Sequence, residues 1–253
     1  MRVRYSVLPA LLLAASVSAA QTQTYAVDSK ASLAWWQLSP HLGHLWATTC
    51  PQDPSWRPGE SRGAGYQISD SAADVEIPLI QVEDPRVPIF PRKAVHSNCS
   101  EAVTGTIAVG DASRWTGVRG VVTIKMDQFV NGMPMRDAYA RKAVYSSDRF
   151  PDVRYYIDSL INVQRGDTIR ATAIGAIVLR GVRTQMAVPV QAWREAGGLR
   201  VQGKFSIPAP HLVDVYGVSK FALGLSLGTH IWKTLHLGFD VVLRPREEGR
   251  SGE

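Results

Sequence analysis

In TIRATAIGAIVLRGVRTQMAVPVQAWREAGGLRVQGKFSI, residues 168–207, apolar and polar residues alternate through 168–179, 184–192 and 199–207, and Arg180-Gly181 and Ala196-Gly197-Gly198 punctuate the three runs. A period of two sends successive side chains to opposite faces of a strand, and short glycine-bearing turns join neighbouring antiparallel strands. The stretch therefore reads as a meander. Pro189 interrupts its middle run, and because proline has no amide proton to give to a ladder, it belongs at an edge or a bulge.

The same alternation recurs at 32–38 (SLAWWQL), 103–109 (VTGTIAV), 118–127 (VRGVVTIKMD), 153–160 (VRYYIDSL) and 234–243 (TLHLGFDVVL), with Arg165-Gly166-Asp167 as a further turn. Eight strands result. A meander of that size removes its exposed edges most economically by closing on itself. The expected fold is all-β, an antiparallel β-barrel of about eight strands. Two features break the pattern. A short basic stretch, MPMRDAYARKAVYSSDRFPDVRYY at 133–156, reads as a helix that ends at Phe150-Pro151. Residues 47–101 carry seven of the chain's 15 prolines and no sustained period. Loops of that length are lids, binding loops or appendages.

The chain opens with Arg2 and Arg4, continues as VLPALLLAASV and reaches Ser18-Ala19-Ala20, the charge, apolar core and small-residue site of a secretory signal peptide. With residues 1–20 set aside, 21–244 form one domain carrying the insertion 47–101, and 245–253 form a solvated tail. No later segment is long and apolar enough to span a membrane. The expected location is periplasmic or secreted. Without Arg2 and Arg4, 26 basic residues stand against 22 acidic ones, a net charge of +4 with no clustering, which argues against a nucleic-acid partner. Cys50 and Cys99, an even count in an exported chain, are expected to form a disulfide. It closes a loop of about 50 residues, on the order of 4 kcal/mol in the chain-entropy account.

Several stretches together resemble the YceI-like family of exported, lipocalin-like barrels. They are Tyr25-Ala-Val-Asp28, Gly120-Val-Val-Thr-Ile-Lys-Met126, Asn131-Gly132, Arg136-Asp137, Phe150-Pro151 with Tyr155, Gly175 to Gly181, and Tyr216-Gly217. The ordered set covers about 25–46 and 102–244. Ala31 stands where the family often has a histidine, Val213 where it often has an arginine, and the cysteine-flanked insertion is extra, so the resemblance is to a divergent member.

Matching the family's strands puts Trp36, Leu38, Val122, Ile124, Met126, Val153, Tyr155 and Ile157 on the inner face. Ile177, Leu179, Met186, Val188, Phe205, Ile207, Leu237, Phe239 and Val241 follow on the later strands. An apolar interior suits a dry packed core as well as a ligand, so the alternation leaves both open; the resemblance implies a cavity for an isoprenoid or other long-chain amphiphile. Burying each methylene is worth about 0.8 kcal/mol, so ten buried carbons hold a tail without a polar anchor. The helix at 133–156 reads as architecture, a plug or wall at one barrel end, with Arg136-Asp137 fastening its start.

Catalytic readings are weaker. His41 and His44 share a helical face at best and lack the third ligand a zinc site needs, so no metal is expected. There is no Gly-x-Ser-x-Gly elbow and no glycine-rich phosphate loop followed by a lysine. The chain is expected to be a lipid binder rather than an enzyme, with no cofactor beyond the lipid. A homodimer is left open. Two rival readings stand beside it: a solid barrel whose 47–101 loop (with Trp56, Tyr66 and Phe90) binds a partner, and a hydrolase built around His41 and His44.

Overall fold

The computed structural model describes residues 22–40, 45–49, 99–130, 134–219 and 232–246. Ten strands form one antiparallel sheet: β1 Gln23–Val27, β2 Leu33–Pro40, β3 Leu45–Thr48, β4 Val103–Val109, β5 Arg119–Lys125, β6 Asp152–Gln164, β7 Thr168–Leu179, β8 Val182–Glu195, β9 Gly198–Pro208 and β10 Trp232–Pro245. β4 to β10 follow one another in order. β1 pairs with both β4 and β10 and so closes an eight-stranded barrel from β1 and β4–β10. β2 continues along β10 from Asp240 to Trp232 below the β1 segment, and β3 folds back on β2.

All eight expected strands are present, and β1 and β3 are additional. β1 begins where the Tyr25 motif lies; β3 extends two residues, Ala47 and Thr48, into the start of the 47–101 insertion. Of that insertion, 47–49 and 99–101 are described, with Cys99–Ala102 forming the short helix α1. Cys50, the side chain of Cys99, His41, His44 and the loop aromatics Trp56, Tyr66 and Phe90 lie outside the described residues.

Local sequence accounts for the turns and irregularities. Arg180 and Gly181 both have positive φ, 50° and 77°, as a two-residue hairpin turn that follows strand twist requires. Gly175 faces the bulge in β6 between Ile157 and Ser159, and a Cβ there would meet the Tyr156 carbonyl oxygen at 1.9 Å, so only glycine permits the approach. Pro189 explains itself through the ladder. β8 pairs with β7 from Val182 to Trp193 but with β9 only from Val190 to Glu195, so the proline sits where the β9 side of the ladder stops.

The barrel's two ends differ by connectivity. α1 leads into β4; α2 Pro134–Tyr139, continued as a π-helical turn Ala140–Tyr145, joins β5 to β6; α3 Ala209–Asp214 follows β9. Strand directions put all three helices at one end. The other end carries the turns at 110–118, 165–167 and 196–197 and the outer end of β1.

The helix insertion is stapled at its base by the Met126 N–H donating to the Pro151 carbonyl, 2.8 Å, and by Lys125 paired with Asp152, 2.9 Å. Asp137 is buried in the first turn of α2. Arg180 ties three segments together: it donates to Val144 O (2.7 Å) at the end of the π-turn and to Gly217 O (3.3 Å) beyond α3, and lies 5.2 Å from the centre of the Phe150 ring. Phe150 of the Phe-Pro motif thus packs against the β7–β8 turn.

Candidate functional site

The inward faces of the strands surround a hollow rather than meeting. Its volume is about 120 Å³, and its lining is almost wholly apolar. Val122 and Ile124 on β5 and Val153, Tyr155 and Ile157 on β6 line one side. Ile177 on β7, Phe205 on β9, and Leu237, Phe239 and Val241 on β10 line the rest. Tyr155 keeps the wall dry because its hydroxyl donates to the Ala173 carbonyl at 2.8 Å, and burial pushes its phenol up, assisted by the charge of Asp158.

Small residues make the room. Ala34, Ala171, Ala173 and Ala192 stand at lining positions where a leucine or phenylalanine would reach the axis. On β9, Gly203 does the same for an aromatic: a Cβ there would come within 2.4 Å of the Phe239 ring, which therefore lies flat against the wall.

Other residues expected inside belong to the floor. Met126, Leu179 and the half-buried Trp36 and Met186 pack with Phe129 and Tyr145 at the helix end, and of this group only Phe129 also faces the hollow. Trp36 meets Tyr145 edge-on at 6.3 Å, and Phe129 lies 6.1 Å from Tyr145. Neither Trp36 Nε1 nor Tyr145 Oη has a hydrogen-bond partner among the described residues, and burial drives the Tyr145 phenol up. Val188 and Ile207 are buried beside the stretch where β8 and β9 part. The side chain of Leu38 lies outside the described residues. The helix insertion is thus a plug, and its floor leaves the opposite end as the mouth.

Polar groups sit on the outer face. Arg200 bonds Glu195 through two nitrogens and Asp240 through both carboxylate oxygens (2.9 and 3.0 Å), while Gln191 donates to Gln202 and Gln202 to Asp240. This ladder crosses β8, β9 and β10 and is largely buried. Ser206 Oγ lies 2.9 Å from His236 Nδ1. Burial holds that imidazole below its ordinary value, helped by Lys204. Asp240 lies four residues along the strand, roughly 13 Å away at strand rise, so it does not orient the imidazole as a catalytic carboxylate does. No group of three histidine, cysteine or acidic residues suited to a metal occurs among the described residues. No described helix is long and apolar enough to cross a membrane.

Residues 88–242 match the model of the YceI-like domain, a span that takes in β4 to β10 and the plug. The chain belongs to the YceI-like family. Among solved structures, a polyisoprenoid binding domain from Saccharophagus degradans implicated in plant cell wall breakdown is similar over 88% of this chain and 99% of its own, with a TM-score of 0.53 at 10% identity. BcnA from Burkholderia cenocepacia is similar over 85% and 98%, with a TM-score of 0.50 at 12% identity. At such identities the likeness is one of YceI-like fold. No curated protein matches the chain in sequence.

The lining residues that the resemblance missed include the alanines, Ile107 and Val109 on β4, Leu199 and Val201 on β9, and Trp115, Leu160, Ile169 and Val190. Alanine is neutral in an alternation count, so its positions carry no signal of their own. Trp115 lies in a turn, where the period of two does not apply.

Proposed function

We propose that the chain is an exported carrier that holds an isoprenoid or other long-chain amphiphile in the barrel hollow and performs no covalent chemistry. The observation that carries this reading is a hollow inside the barrel, walled by apolar side chains from β4 to β10 and plugged at one end. Apolar surface entering such a space leaves water at about 25 cal/mol per Å², without any need for a polar anchor along the tail. The polyisoprenoid binding named for the Saccharophagus degradans domain is consistent with it. The signal-like segment at 1–20 and a Cys50–Cys99 disulfide belong to the same reading, since both suit an oxidising compartment.

Trp115 lines the hollow, so occupancy has an internal reporter. Titration with geranylgeraniol is expected to change tryptophan emission saturably, at one molecule per chain, with a dissociation constant on the order of micromolar, since a long tail's burial is offset by the cost of association. Emission that never saturates, or that responds equally to a short alcohol, contradicts the reading.

A further inference from the structure

The lining is apolar along its length, yet the mouth is not. On β8 the inward register runs Val190, Ala192, Arg194, and Arg194 pairs directly across from Leu199, which also lines the hollow. Arg194 is therefore the next inward position beyond the apolar wall, at the mouth end, and it is exposed. On the facing side, Tyr25 lines the hollow from β1, and its hydroxyl donates to Gln23 Oε1 at 2.8 Å, one inward position further out. Burial raises the Tyr25 phenol, and the charge of Arg194 opposes the rise. β9 and β10 separate β8 from β1 in the barrel, so that influence crosses the mouth.

The carboxylates nearby are engaged or turned away. Glu195 takes the outward register and is held by Arg200. Asp111 accepts from Ser113 Oγ and from the Ser113 and Arg114 amides, and pairs with Arg114 at 3.7 Å. Asp28 pairs with Arg244. Asp167 lies in the exposed β6–β7 turn beside Arg165, which reaches across to the Ser113 carbonyl at 3.5 Å. Among the described residues no carboxylate is within ion-pair distance of Arg194.

We infer that the mouth selects an amphiphile with an anionic headgroup, a carboxylate or a phosphate, bound by Arg194 with Tyr25 and Gln23 beside it. The inference rests on the lipid-carrier reading and adds the headgroup class to it. A guanidinium offers parallel donors to either anion. Because the site is solvent-exposed, the gain is modest and salt-sensitive.

The test uses hexadecanoic acid, hexadecyl phosphate and hexadecanol, each displacing the same neutral fluorescent lipid below its aggregation threshold. At low salt the two anions are expected to bind about fivefold more tightly than the alcohol, and the preference is expected to shrink in high salt. Arg194→Gln is expected to bring the anion-to-alcohol ratio close to one. Arg170→Gln removes the same charge from the outward register of β7, opposite Gln191, and is expected to keep the preference. Equal binding of acid and alcohol by the unaltered protein overturns the inference, as does a preference that survives Arg194→Gln. If hexadecanol binds well without any anion preference, the carrier reading stands alone; if none of the three displaces the probe, the carrier reading fails as well.

Discussion

Ala173→Phe is expected to lower affinity for a long-chain ligand by more than about 100-fold while leaving the protein at least as stable as before. Ala173 lines the hollow, on the strand that also supplies Ala171 and Ile177. A phenyl ring there projects into space that no side chain of the described residues occupies, and it stops a tail partway. Returning four methylenes to water costs about 3 kcal/mol at 0.8 kcal/mol each, which corresponds to a loss of more than 100-fold. The two effects move in opposite directions only if the barrel is hollow. In a close-packed core the same ring has no room, and overpacking costs about 1–3 kcal/mol of stability. Urea unfolding together with the geranylgeraniol titration reads both quantities on one variant. Lower stability with undiminished binding would place the ligand elsewhere.

Arg200→Ala is expected to be the most damaging single change to stability, by about 3 kcal/mol. Arg200 lies between Glu195 and Asp240, and its loss strands the Asp240 carboxylate, which is 6% exposed and left with one donor, the Gln202 amide, among the described residues. Breaking a buried pair by removing one partner costs about 3–5 kcal/mol, and the residual exposure of this one argues for the lower figure. The effect carries a pH signature. The Arg200 hydrogen bonds hold the Glu195 carboxyl below its ordinary value, against the opposing effect of burial. Burial alone would raise Asp152, and the hydrogen bonds from Lys125 and Arg154 bring it below its ordinary value. A carboxyl lowered on folding stabilises above its unfolded pKa, and that contribution fades as pH falls through the folded one. Stability of the unaltered protein is therefore expected to drop as pH falls below the ordinary carboxylate range, and Arg200→Ala is expected to show a shallower drop because the Glu195 share is already gone. Denaturant midpoints measured from neutral to acid pH check this. Parallel curves would show that Glu195 and Arg200 are not coupled.

The barrel was legible because its strands announce themselves by alternation. Residues 168–207 spell three strands and two turns, and Pro189 signals the end of a ladder, which falls one residue before the β8–β9 pairing begins at Val190. β1 and β3 escaped the pattern because five and four residues are too few for a period of two to stand out. α3 has a proline at its start and six residues, too short for a helical stripe. Which inward residues face a hollow and which form a floor is a different kind of fact. Val122 and Phe205 look no different in sequence from Met126 and Leu179. The distinction comes from where the plug of Phe129 and Tyr145 reaches and from the alanines on β7 and β8, whose lack of bulk leaves the space. Arg194 was equally silent, since a charged residue next to a turn reads as solvated surface until the register across to Leu199 places it over the mouth.

Native mass spectrometry of the protein, purified from its own host without detergent or organic solvent, asks most directly whether the hollow is a lipid site. A species heavier than the polypeptide by one long-chain lipid, lost on solvent extraction and regained on incubation with polyprenol or a fatty acid, is the outcome this account predicts. The bare polypeptide mass alone, both as purified and after that incubation, would contradict it.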